Sequence, residues 1–321
     1  MHADVTQLPA MKKWVLLLAA LSFLVVLISV FLRLDAGYSD RSGDAECFRG
    51  FAVGGLLLPI AAIRAMHRVT ASASLILALF VTWSFLRPRP IQPAARYSLV
   101  LVLLMLFLAV VGLLGAGPDA VWARFANILG GLGLLSISGQ LVLATQRSVT
   151  KTPRQVSSRI LRVGIAALTA TLVLGASIGA RFAAAACTSL PDCSGIWWPT
   201  AEGWATLNPL LILSSAPLSS DASAVALHLL HRYCAGAAFL FLGFAGIRGL
   251  RQEGTRTASI SLLLLLIIEM MLGGVVVATA TNLWPMVGHA LFAGLLLVSI
   301  HWLSSAASRA SSRPSAMTVL G

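Results

Sequence analysis

Apolar residues in this chain gather into eight long runs, at 14–32, 59–86, 97–115, 121–145, 160–182, 222–248, 258–279 and 284–304. Each is close to the ~20 residues a helix needs to cross the hydrocarbon of a bilayer. The pattern therefore predicts an all-α integral membrane protein with eight transmembrane helices. The third and fourth runs are separated only by 116–120, a tight outer turn, whereas 33–58 and 183–221 are long outer connections. An even number of crossings places both termini on one side.

Composition agrees with this reading. Hydrophobic residues make up 58% of the 321-residue chain and charged residues 11%, with a mean hydropathy of +0.89. A soluble domain is roughly a quarter charged. The net charge of +12 would suggest nucleic acid until it is mapped along the chain. Lys12, Lys13, Arg87, Arg89, Arg96, Arg147, Lys151, Arg154, Arg159, Arg162, Arg248, Arg251, Arg256, Arg309 and Arg313 all fall on the face that holds the termini. These are fifteen of the twenty-three basic residues, and an excess of Lys and Arg marks the cytoplasmic side. The loops are too short to build a basic surface for nucleic acid, so the charge reads as topology. The expectation is a multi-pass protein of the cell (inner) membrane, surrounded by lipid, with both termini cytoplasmic. Asp35, Asp40, Asp44, Glu46, Asp119, Asp192, Glu202 and Asp221 lie in or beside the outer loops. The first apolar run lacks a small-residue cleavage site and reads as an anchor rather than a removed signal peptide.

The runs divide into two sets of four that resemble each other. His67-Arg68 aligns with His231-Arg232, Ala71 with Ala235 and Phe80 with Phe244. Aligning Asn127 with His289 also brings Trp122 onto Trp284 and Gly112 onto Gly274, and Arg33 and Arg181 each follow the first run of a half. A duplicated unit predicts two pseudo-symmetric four-helix bundles, residues 1–150 and 151–321, with functional side chains pointing into their cores. Gly130-Gly131-Leu132-Gly133 and Gly273-Gly274 read as close-packing segments.

An ionisable side chain at the centre of a membrane helix costs about 2.5–3.5 kcal/mol on insertion scales, so each one needs a reason. Of six histidines, His2 is in the tail and His301 near the cytoplasmic end of the last run. His231 and His289 lie on parallel, non-adjacent helices of the second half and can face each other across its core. An iron porphyrin is the commonest object held between two neutral imidazoles, and Arg232 and Arg68 suit its propionates. Zinc would need further ligands of suitable type, and none converges. His228, one turn before His231, is the alternative ligand. The first half keeps His67 and Arg68 but has Asn127, a poor iron ligand, opposite His289. A heme or related porphyrin there would have one protein histidine and an open or weak second position. Cys187 and Cys193 share the second outer loop and are expected to form a disulfide. Cys47 stands alone in the first outer loop, and Cys234 reads as packing.

With these residues in place, the chain resembles the heme A synthase family over nearly its whole length. The resemblance rests on eight spans in two halves, His67-Arg68, His231-Arg232, His289, and the loop from Cys187 through Pro191-Asp192-Cys193-Ser194-Gly195 to Trp197-Trp198-Pro199. It implies oxidation of a methyl group of heme O to a formyl group, giving heme A for cytochrome oxidase. A heme b would sit between His231 and His289. The N-terminal half would receive the heme O substrate and release the heme A product, with His67 as ligand. Heme O synthase or oxidase assembly factors are the implied partners, and a homo-oligomer is an open alternative. The family's outer-loop cysteine pair matches Cys187 and Cys193. Two positions depart from the family pattern. Arg64 stands where a glutamate is usual three residues before the first-half histidine, and Asn127 replaces that half's second histidine. Glu269, in the seventh run, matches Phe107 and lies in the other half. The alternative function is a non-catalytic heme-binding paralogue in oxidase assembly, heme handling or electron transfer. A transporter ranks behind both, because the polar groups cluster outward rather than at mid-membrane.

Overall fold

The computed structural model describes residues 7–42, 50–53, 56–87, 92, 94–115, 120–145, 159–205, 207–208, 221–252, 254–279 and 282–310. The expected positions Cys47, Arg89, Arg147, Lys151, Arg154 and Arg313 lie outside them.

Eight long helices account for the eight apolar runs. They are α1 (Gln7–Ser42), α2 (Ile60–Leu86), α3 (Ala95–Leu114), α4 (Val121–Thr145), α5 (Arg159–Ala180), α7 (Asp221–Leu250), α8 (Arg256–Ala278) and α9 (Leu283–Ala310). Between α5 and α7 the described residues include one turn of 3-10 helix at Ala183–Ala186 and the short α6 (Ala201–Ala205). Both α1 and α9 outrun their apolar stretches, because helical hydrogen bonding continues into polar sequence beyond the hydrocarbon. The connection between α1 and α2 holds an antiparallel hairpin, Gly50–Val53 paired with Leu56–Pro59. Pro59 caps α2, where its fixed φ of −64° and missing N–H cost the helix nothing. The turn from α7 to α8 needs Gly254 at φ +87° and is held by Thr255, whose fully buried hydroxyl donates to the carbonyl of Gly249 at 2.7 Å.

Much of the molecule's outside is aliphatic. Leu113 is 80% exposed, Leu240 70% and Ile76 69%, surfaces that water would not tolerate but lipid does. Eight helices have the length and hydropathy to cross a membrane, and this is a multi-pass membrane protein. Several hydroxyls within the spans are satisfied inside their own helices, as when Ser22 donates to Leu18 O at 2.8 Å and Ser138 to Leu134 O at 2.6 Å.

The first four helices close a ring in which α1 packs on α2, α2 on α3, α3 on α4 and α4 back on α1. In the second set α5 packs most extensively on α7, α7 on α8 and α8 on α9, while α4 lies against both α5 and α9. One core runs through α1 to α4 and takes Leu283, Val287 and Leu291 from α9; another joins α5, α7, α8 and α9. At the α4–α9 crossing the two backbones approach through glycines. A Cβ on Gly139 would lie 2.5 Å and 2.7 Å from the two methyls of Val298, and one on Gly294 would lie 2.5 Å from Leu135 Cδ1. Val298 is β-branched and stiff, so it has no rotamer to retreat into. Gly139→Ala is therefore expected to cost about 1–3 kcal/mol by overpacking, read as a lowered midpoint in thermal unfolding of the detergent-solubilised protein.

Candidate functional site

His231 projects from α7 and His289 from α9, helices that are not neighbours in the α5–α7–α8–α9 sequence of packing. Their ring centroids are 6.4 Å apart and their planes stand at 83°. At 1.5 Å per residue, the two histidines lie roughly 15 Å and 9 Å from the first residues of their helices, toward the same end of the bundle. The sequence expectation that they meet is thus realised in the geometry.

Each imidazole is received in the same way by a neighbouring helix. His231 Nδ1 donates to the carbonyl of Thr171 on α5 at 2.9 Å. One turn further along α5 is Gly175, where a Cβ would lie 3.0 Å from His231 Cε1 and 3.3 Å from Nδ1. His289 Nδ1 lies 2.5 Å from Oε2 of Glu269 on α8, and one turn further along is Gly273, 3.5 Å from His289 Cε1 by the same construction. Each ring thus meets an oxygen acceptor at position i and a bare glycine at i+4, on one face of the opposing helix. A carbonyl oxygen can only accept, so the proton of His231 is on Nδ1 and its Nε2 carries the lone pair. The carboxylate selects the same tautomer for His289.

The glycines differ in how much room they leave. Gly175→Ala should push the His231 ring by a few tenths of an ångström and weaken retention of whatever the ring ligates by about tenfold, the low end of outer-shell effects at metal sites. Gly273→Ala makes only an ordinary van der Waals contact and should be tolerated. Ligand retention through size-exclusion chromatography of the two variants checks the contrast.

His228, the alternative ligand, is engaged elsewhere through its Nε2. It is buried, and its Nε2 donates to the carbonyl of Ala183 at 2.9 Å, pinning the 3-10 turn after α5. His301 is exposed on α9.

The loop from Cys187 to Pro199 roofs this end of the bundle. Cys187 and Cys193 are joined in a disulfide with Cα atoms 4.9 Å apart, buried against Leu229 of α7. Ser189 accepts from Ser194 N at 2.6 Å, and the Asp192 carboxylate accepts from Gly195 N, closing the turn. Trp198 stacks on Tyr233 at 5.9 Å, and the Tyr233 hydroxyl donates to Trp197 O. Arg232 Nη1 donates to the carbonyls of Pro191 and Asp192, so the loop rests on the residue next to His231. Its Nη2 is buried without a hydrogen-bond partner among the described residues. On the other side Leu190 Cδ1 comes within 3.9 Å of the Cβ position of Gly274.

Among the described residues no three His, Cys, Asp or Glu side chains are arranged to hold a bare metal ion. Two imidazoles alone leave most coordination positions of a metal open, and a macrocycle is one ligand that would fill them. With metal–imidazole bonds of about 2 Å and ring centres roughly 1 Å beyond each nitrogen, axial rings sit roughly 6 Å apart. The observed separation fits, and the unpartnered Nη2 of Arg232 suits a carboxylate.

The family model for cytochrome oxidase assembly proteins, COX15-CtaA, matches residues 126–301, more than half of the chain. The chain belongs to that family. It is the same family that the sequence resembles under the name of heme A synthases. No curated protein matches the chain. In this cytochrome oxidase assembly protein the matched region runs from α4 to α9 and contains both histidines of the pair.

The first half is arranged less distinctly. His67 is half-buried on α2 and Asn127 half-buried on α4, diagonal positions in the ring. Arg64 and Arg68 are exposed and line a groove on α2 with Ile60, Ala61, Ala65 and Val69. Arg124 of α4 donates to Ala180 O at 2.7 Å and lies 4.7 Å over the ring of Phe182, whose backbone at φ 53° ends α5. Sequence reasoning missed Thr171 and Gly175, noted Glu269 only by its register with Phe107, and read Gly273 only as packing. The available signal was a polar residue followed four places later by glycine, in two spans of the same half.

Proposed function

We propose that this cytochrome oxidase assembly protein is a heme A synthase-type oxidoreductase, converting heme O to heme A. The observation that supports it most is the His231–His289 pair, with both Nδ1 atoms engaged and two Nε2 lone pairs left for one iron. In this reading His231 and His289 would hold a heme b in the second half, with the Arg232 guanidinium available to a propionate. A heme so ligated supplies one-electron transfer. Thr171 and Glu269 fix the tautomers and orient the rings. Gly175 and Gly273 leave them room, and the disulfide loop tied to Arg232 excludes water from that end. The first half receives heme O as substrate, with His67 as the protein ligand and Arg68 facing a propionate. The charge pattern supports a cell-membrane location with cytoplasmic termini, and heme O synthase or other oxidase assembly factors fit as partners.

A second reading has its own support. Arg64 is exposed where the family pattern has a glutamate, and a guanidinium that stays charged cannot act as a general base. With Asn127 in place of histidine, the chain would then be a non-catalytic heme-binding paralogue. Expression with a heme O-producing partner, followed by extraction and identification of the hemes, separates the two. Heme A in the extract supports the enzyme. Bound heme b with no formylated product, despite supplied heme O, overturns it.

A further inference from the structure

Glu269 is a carboxylate 8% exposed inside an apolar span, and such a group is expensive unless something needs it there. Its Oε2 is 2.5 Å from His289 Nδ1 as an ion-pair contact, and among the described residues neither atom has a hydrogen-bond partner. Among the described residues no arginine or lysine pairs with it. The other imidazole, His231, is backed by a neutral backbone carbonyl. The two rings are therefore unequal. A charge-assisted hydrogen bond from Nδ1–H to a carboxylate draws the proton away from the ring and makes the opposite nitrogen a stronger donor, whereas a carbonyl does so weakly.

We infer that Glu269 is a positioning residue that sets the donor strength of His289, and that the His289–Glu269 pair biases the second-half iron toward its oxidised state while His231 serves as the ordinary ligand. This rests on the reading that His231 and His289 ligate a heme. The carboxylate contributes twice. Its close contact with Nδ1 strengthens the ligand, and its negative charge, in a medium of low dielectric, favours the more positive metal. No bond is made or broken in this role. Gly273, one turn away on α8, gives the ring space to meet the carboxylate.

The test uses the full-length protein purified from the membrane and loaded with hemin. First, the wild type should show a low-spin spectrum that His289→Ala loses; if it does not, the heme reading itself fails, and this inference with it. With that established, Glu269→Gln keeps the shape of the side chain and removes its charge. It should keep the low-spin spectrum and raise the reduction midpoint, shifting the reduced-to-oxidised ratio at fixed potential about tenfold, or ~59 mV for one electron. Glu269→Asp, which retains the charge, should return the midpoint toward the wild type. If Gln instead sheds the heme, Asp should restore binding. A midpoint unchanged in a heme-loaded Gln variant, or Asp behaving as Gln does, overturns the role while leaving the ligand assignment standing.

Discussion

Purified protein carrying His231→Ala or His289→Ala should lose its low-spin heme band, while His228→Ala should keep it. The physical ground is the asymmetry between the histidines of α7. His228 spends its Nε2 on the carbonyl of Ala183, whereas His231 spends Nδ1 on Thr171 and keeps Nε2. Changes to outer-shell partners at metal sites typically cost about 10–100-fold in affinity, so loss of a ligand itself should cost about 100-fold or more. The measurement is the absorption spectrum, oxidised and reduced, with heme-to-protein stoichiometry. A band that survives either alanine would dismiss the pair as ligands. A band lost with His228→Ala as well would point to collapse of the turn at Ala183–Ala186, distinguishable by circular dichroism and thermal unfolding.

The second large effect is expected at the other end of the sequence. His67→Ala should leave the second-half heme bound and spectroscopically intact, yet reduce heme A formation in the heme O-supplied strain to background. The separation is possible because α2 and α7 are not neighbours in the packing, so truncating a half-buried side chain on one need not disturb the other. Product that persists without His67 would place the oxidation elsewhere, and the degenerate appearance of Arg64 and Asn127 would then need no compensation.

How far the sequence could be read follows from what membrane helices disclose. Length and polarity are dictated by the bilayer, so all eight crossings stand at or near the predicted bounds, and basic loops mark their ends. Histidines inside such runs are conspicuous because little else there is polar, and His231 and His289 were legible for that reason. The direction each helix turns toward its neighbours was not. In a soluble helix the apolar stripe reveals the buried face, but a span such as Arg256–Ala278 is apolar all round. Glu269 therefore reads as misplaced from its register with Phe107, when it faces His289. Gly175 and the carbonyl of Thr171 were invisible for a different reason: one is the absence of a side chain and the other belongs to the backbone. Arg232 was legible as a cation beside the site, but not as the support of the disulfide loop, because the partners are main-chain oxygens contributed from 40 residues away. Cys47 falls outside the described residues.

The helix α4 leans on both α5 and α9 across glycine contacts, though it comes before them in the chain and belongs to the other quartet. A cut made between residues 150 and 151 would therefore not yield two finished modules. It would strip the later fragment of a party wall and open its flank to lipid, and the pieces would have to find each other again within the same bilayer before that flank was sealed.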